Sequence, residues 1–486
     1  MPKSAVPDQR GWLRYALAGV LAITLMRVLL LAFNRTDLFV DEAQYWLWGQ
    51  ELAFGYYSKP PLIGWVIRAA TELAGSDDAF WVRLPGPLFH GATALILGAV
   101  AARLFGARAG IVTAIGFVTT PMVALGSLLI STDTIMFPFL AAALALYLLL
   151  LDRPSPVIAG FAGVALGLAA LAKYAAVYYL LCAGLAALIL PDARPGLRHV
   201  GLLLLAFLVT ISPNIIWNIA NGFSTLEHTL DNADWVRDPA ARAGLNIGGL
   251  LEFFASQFGV FGPVLFGALL AMAVRWRTLP THWKRLLVFS LPIVAIVCGQ
   301  ALMARAYANW AASAYLAGSL CALPWLLDKP RGWLIASFAF NGAISLILPL
   351  ASTVADTLRP GKNLLLERYV GRAAMTYEIL NAADEAELNI IVASDRDVLA
   401  DLFYNGRYHP AFVYSRPPRG RAPNHYALKF PYQSGSEPVL YVTRSVEPVP
   451  CPEAALELAR IAPESGAYRR FPQTLYVVPG SCFDGP

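Results

Sequence analysis

The chain has 486 residues, of which 57 % are hydrophobic and only 14 % charged, with a formal net charge of +5. A soluble chain carries about 25 % charged residues, so a soluble globular protein is excluded. No basic domain with interleaved aromatics appears, and no nucleic-acid partner is expected.

From Trp12 onward, apolar runs follow one another at lengths near the roughly 20 residues that cross a bilayer. They fall at 12–33, 84–104, 109–127, 133–151, 156–172, 175–190, 198–217, 249–274, 286–303, 311–327 and 333–352. The expected fold is therefore an α-helical polytopic membrane protein with about eleven transmembrane helices. The first run follows Lys3 and Arg10, is long and lacks a clear small-residue cleavage site, so it reads as a retained span.

With the N-terminus in the cytoplasm, the short inner loops carry Arg103, Arg108, Arg153, Arg194, Arg198, Arg275, Arg277, Lys284, Arg285, Lys329 and Arg331. That bias follows the positive-inside rule, and an odd number of spans puts the C-terminus outside. Outside fall the 34–83 loop, the Ser131-Thr132-Asp133 turn, Lys173, the 218–248 loop, Arg305 and everything after 353.

The 34–83 loop carries aromatic and aliphatic residues at helical spacing over 41–54 and 61–73, predicting two amphipathic helices on the outer surface. Pro60-Pro61 stops one and starts the other. After Ser352, charge, Gly and Pro return, with β-rich runs at 389–392, 411–414, 438–442 and 474–478 and a helical pattern over 396–404. The chain is thus expected to divide into a membrane catalytic domain, 1–352, and a small extracytoplasmic α/β domain, 353–486. Cys451 and Cys482 lie in that second part, where a disulfide and two separate thiols both stay open.

Polar residues capable of chemistry gather on the outer side. Asp41 and Glu42 stand just beyond the first span, where a carboxylate is costly; capping the surface helix is the competing role. Lys59 precedes the rigid proline pair and suits either a phosphate or the lipid surface. Tyr56 and Tyr57 fit an aromatic belt or a sugar-stacking platform. Asp133 opens a span, with an N-cap as its plain role, and Lys173 ends one. Arg305 heads a stretch running to Asn309 and Trp310. The 214–235 loop adds Asn214, Trp217, Asn218, Asn221, Glu227, His228, Asp231, Asn232 and Trp235, suited to a sugar pocket or to any wet loop. A metal at His228 with Glu227 and Asp231 rests on weak spacing. No nucleotide-binding Gly-x-x-x-x-Gly-Lys loop occurs, which argues against an ATP-driven pump.

On these residues the chain resembles the GT-C-type polyprenyl-phosphate-dependent glycosyltransferases, and more narrowly the bacterial branch related to protein O-mannosyltransferases and lipid A aminoarabinose transferases. The resemblance is carried by Asp41-Glu42-Ala43-Gln44-Tyr45-Trp46 and by Tyr57-Ser58-Lys59-Pro60-Pro61-Leu62. Ser131-Thr132-Asp133, Leu171-Ala172-Lys173-Tyr174, Trp217-Asn218 and Asn221-Gly222-Phe223 support it.

The resemblance implies transfer of a sugar from a polyprenyl phosphate to lipid A, a polysaccharide, another lipid or a protein. The reaction is expected to invert the anomeric centre, at the outer face of the bacterial cytoplasmic membrane. A lipid phosphate is already a fair leaving group and needs cations rather than a general acid, a task for Lys59 with Lys173 or Arg305. The acceptor hydroxyl needs a base or an orienting carboxylate. Asp41 matches the family's acidic position, with Glu42 in reserve. Tyr56, Tyr57, Asp133, Asn218, His228, Asn309 and Trp310 are the expected substrate-binding residues. Asp41-Glu42 lacks a spaced Asp-x-Asp, so no catalytic metal and no other cofactor is expected.

A lipid or solute transporter is the alternative from another class. It should place polar groups at mid-membrane and show related halves; Arg27 is the clearest mid-span charge and no repeat is visible. A scaffold docking through the C-terminal domain is the third reading.

Overall fold

The computed structural model describes residues 11–223, 225, 245–444 and 448–483. The chain folds as two compact units. The first takes the described residues of Met1–Ala32, Ser58–Val66 and Arg83–Leu350; the second takes Phe33–Tyr57, Ile67–Val82 and those of Ala351–Pro486.

The first unit is helical. Among the described residues, six helices are long and apolar enough to cross a membrane: Trp12–Ala32, Ala79–Phe105, Thr132–Asp152, Leu197–Ala220, Thr281–Met303 and Arg331–Ser352. A seventh candidate is the pair Ile247–Phe261 and Pro263–Val274, bent by 116° at Gly262. Ala107–Val118, Pro156–Ala172, Tyr174–Ile189 and Ala314–Leu327 are apolar but shorter. The sequence runs were continuous in hydropathy, whereas the helices are cut where Pro follows a break. Pro121 opens a new helix after Thr119-Thr120, and Pro263 after Gly262.

Small residues set the helix spacing. Pro156–Ala172 packs against Leu197–Ala220, and a Cβ on Gly163 would collide with the Leu203 carbonyl. One on Gly167 would meet Thr210. Such glycines let apolar helices approach where lipid offers no hydrophobic gain. The mid-span Arg27 is buried and donates to the Val118 carbonyl (2.7 Å), Ser345 Oγ (2.7 Å) and Ser127 Oγ (3.2 Å). Its hydrogen bonds cross-link separate helices, a structural use of a charge that would otherwise suggest a conduction path.

The second unit is built on a five-stranded mixed sheet. Its strands are β1 (Ile390–Ala393), β2 (Phe412–Ser415), β3 (Pro438–Arg444), β4 (Leu456–Ile461) and β5 (Gln473–Pro479), in the order β2-β1-β3-β5-β4. β1 pairs in parallel with β2 and β3; β5 is antiparallel to β3 and β4. The helix Arg396–Asn405 makes the β1-to-β2 crossover that parallel pairing demands. Val392, Val439, Tyr441 and Val478 form its core with Tyr432. Cys451 and Cys482 are joined as a disulfide. Val40–Gln50 packs on Arg396–Asn405 within this unit.

Candidate active site

In the second unit the acidic pair divides its labour. Phe39 is extended (φ −72°, ψ 157°), and its N–H donates to Glu42 Oε2 at 2.9 Å, closing the first turn of Val40–Gln50. An acid folded back from the third helical position satisfies a donor the helix cannot. Glu42 is only 2 % exposed and is committed to this cap. Asp41, one residue earlier, keeps 48 % of its side chain exposed.

Asp41 has a partner that sequence reasoning missed. Arg396 Nη2 donates to Asp41 Oδ1 at 2.6 Å, and Arg396 Nε donates to Gln44 Oε1 at 3.0 Å. Asp41 and Gln44 are three apart, hence on one helix face. The neighbouring Asp395 caps the helix of Arg396, accepting from Asp397 N at 2.7 Å, and is itself paired with Arg444. Burial, the largest single influence, works against the Arg396 charge, but Asp41 together with Tyr426 and Tyr45 outweighs it, and the guanidinium's pKa is raised. A signal was present. A cation in the first turn of a helix opposes the helix dipole, so Arg396 called for an acid elsewhere.

The same unit holds an aromatic group. Trp48 stacks on Tyr56 (4.9 Å, 1° between planes) and meets His425 edge-on. Tyr56 is 5 % exposed and donates to the Trp48 carbonyl at 2.7 Å; burial pushes its hydroxyl up to about 12. Tyr57 is buried and donates to the Ala422 carbonyl at 3.0 Å. Burial, then Lys429 and Arg396, lowers His425 to about 3, leaving it neutral.

In the first unit three expected residues meet. Ser131 is the N-cap of Thr132–Asp152, its hydroxyl accepting from Thr134 N. That frees Asp133 from the capping role. Its two oxygens accept from Lys173 Nζ at 2.8 and 2.7 Å, and Oδ2 also accepts from Asn309 Nδ2 at 3.1 Å. Lys173 is extended (φ −157°, ψ 131°) where Pro156–Ala172 ends, which turns its side chain onto Asp133.

Arg305 is exposed, with its guanidinium 4.6 Å from the Tyr307 ring centre, and Trp310 lies edge-on to the same ring. Asn218 is buried and donates to the Asn214 carbonyl and to Tyr174 Oη. Lys59 is half-buried between Ser58 and Pro60, which are buried. His228, with Glu227, Asp231, Asn232 and Trp235, lies outside the described residues. Among the described residues no group of three or more His, Cys, Asp or Glu is arranged to hold a metal ion.

Residues 58–217 match the family described as dolichyl-phosphate-mannose-protein mannosyltransferase. The lipid A galacturonosyltransferase RgtD of Rhizobium johnstonii is 40 % identical over 476 residues, covering 96 % of this chain and 99 % of that protein. The chain belongs to the GT-C polyprenyl-phosphate-dependent glycosyltransferases. Two solved structures of ArnT from Cupriavidus metallidurans, one apo and one bound to undecaprenyl phosphate, share the fold of this glycosyltransferase. The TM-score is 0.62 at 16 % identity, over 98 % of this chain and 99 % of theirs.

The chain is thus a multi-pass membrane glycosyltransferase, moving a sugar from a polyprenyl-phosphate carrier to an acceptor. The transporter and scaffold readings end here. The chemistry needs cations for a departing phosphate and an oxygen base or orienting group for the acceptor.

Proposed function

We propose that this glycosyltransferase moves a uronic acid, galacturonic acid, from undecaprenyl phosphate to lipid A. The observation that carries this reading is the 40 % identity to a lipid A galacturonosyltransferase along 99 % of its length. In the proposed reaction a lipid A hydroxyl oxygen bonds to the anomeric carbon as the bond from that carbon to the phosphate oxygen breaks. The centre inverts, polyprenyl phosphate leaves with the bonding electrons, and the hydroxyl proton passes to Asp41.

The geometry supports giving Asp41, rather than Glu42, the acceptor. Glu42 is held by the helix cap, whereas Asp41 Oδ2 makes no hydrogen bond among the described residues. Lys59 and Arg305 are the proposed phosphate cations. Lys173, gripped by Asp133, takes a supporting role in shaping the sugar site with Asn309, Asn218 and Trp310. Tyr56 and Tyr57 hold the loop before Lys59.

Counting each short helix and each broken pair as one passage gives eleven crossings of a bacterial cytoplasmic membrane. On that count, the Val40–Gln50 and Leu62–Ala74 helices and residues 353–486 face the periplasm. A cysteine placed at Gly55 should react with an impermeant reagent on intact cells, and protection there overturns this orientation. Mass spectrometry of lipid A from cells with and without the gene tests the reaction. A hexuronic residue should vanish on deletion and return on complementation; an unchanged lipid A profile counts against it.

A further inference from the structure

The guanidinium of Arg396 is used on one edge only. Nε and Nη2 hold Gln44 and Asp41, while Nη1 makes no hydrogen bond among the described residues and 38 % of the side chain is exposed. An arginine offers five donors in a rigid fork that takes a carboxylate through two of them. The Nη1–Nη2 end therefore stands as a ready two-point receptor for an anion, already fixed in direction by its bonds to the Val40–Gln50 helix. Little ordering entropy is left to lose on binding.

Charge gives this end a specific use. Asp41 serves the oxygen that attacks the anomeric carbon, and a uronic acid carries its own carboxylate on the same small ring. An acidic sugar brought to a bare carboxylate is repelled, so a cation must stand beside Asp41 for such a sugar to be accepted. We propose that Arg396 is the specificity residue of this transferase, binding the sugar carboxylate of the uronyl donor through its Nη1–Nη2 end. This rests on the uronyl reading above. A neutral hexose would gain nothing from Nη1, and a cationic amino sugar would be repelled by it.

The test uses the purified full chain with two synthetic donors, polyprenyl-phosphate galacturonic acid and the matched polyprenyl-phosphate galactose. Arg396→Gln should raise KM for the uronyl donor about ten- to hundredfold, the weight of charge-assisted hydrogen bonds. Any loss of kcat from releasing Asp41 should be equal for the two donors, so the mark of the inference is a KM rise confined to the uronyl donor and a narrowed preference for it over the neutral one. Arg396→Lys should lie between wild type and Arg396→Gln; it carries the same test if Arg396→Gln aggregates. A fall in kcat of equal size for both donors, with KM unmoved, means that Arg396 only holds Asp41 and overturns the inference. Wild-type protein that turns over galactose but not galacturonic acid overturns the uronyl reading itself, and the inference with it.

Discussion

Both carboxylate oxygens of Asp133 accept from the ammonium of Lys173, and Asn309 adds a third hydrogen bond to the same carboxylate. Only 13 % and 18 % of the two charged side chains are exposed. The pair joins the start of Thr132–Asp152 to the end of Pro156–Ala172 and draws in the segment at Ala308–Ala311. Removing one partner from a largely buried pair strands the other charge, a loss of about 2–4 kcal/mol. Lys173→Met and Asp133→Asn should each lower the unfolding temperature in detergent, and the double variant should lose less than their sum. Additive losses would mean that the two residues act separately.

Glu42 should behave as a cap and not as a catalyst. Glu42→Gln keeps an oxygen for the Phe39 N–H and should retain transfer within about threefold of wild type. Glu42→Ala removes that acceptor and should cost about 1 kcal/mol or more of stability. Transfer rates and thermal melts of the two variants check this. A Glu42→Gln protein that melts normally but has lost transfer would reassign the catalytic acid.

Much of the architecture was readable. The helices expected at 41–54 and 61–73 are Val40–Gln50 and Leu62–Ala74, and four of the five strands fall where β-rich runs lie. The fifth, β4, was missed because it is an edge strand whose Leu456-Glu457-Leu458 alternation is short and breaks at an irregularity between Glu457 and Ala459. The helix Arg372–Glu385 was missed although Met375, Ile379 and Ala383 mark its buried stripe; polar neighbours diluted the pattern. Spans read as continuous proved broken, because hydropathy averages across a Gly-Pro step that backbone geometry cannot. Among the candidate residues, Asp133, Lys173 and Asn309 were legible as polar positions, and the first unit brings the three together. The partnership of Asp41 with Arg396 was not, since 355 positions separate them and only the fold supplies the contact.

Asp401 gives the second unit a pH dependence of known sign. Burial lifts its carboxyl from 3.8 to about 7, against the opposing pull of Arg372 and the Tyr468 hydrogen bond. Folding therefore takes up a proton between those values. The stabilising contribution is full below about pH 4 and is lost as pH rises through about 7. The melting temperature of wild type relative to Asp401→Asn should fall across that window and level off above it. A constant difference would show that the carboxyl titrates normally.

The Cys451–Cys482 bridge spans 31 positions. Loop closure of that length stabilises by about 3–4 kcal/mol. Reduction or Cys451→Ser should lower the melting temperature of the full chain and leave the transfer chemistry intact at low temperature. Resistance of these cysteines to alkylation in non-reduced, denatured protein from whole cells checks that the bridge forms in an oxidising compartment.

We propose that uronyl transfer from polyprenyl phosphate to lipid A runs through Asp41. Its most direct test is a reconstitution of the purified chain with polyprenyl-phosphate galacturonic acid and lipid A, followed by mass spectrometry of the lipid product. Wild-type protein should add one hexuronic residue and release polyprenyl phosphate. Asp41→Asn, equally well folded, should be slower by about a hundredfold or more. Unmodified lipid A after full incubation with wild type, or equal product from Asp41→Asn, would contradict the account.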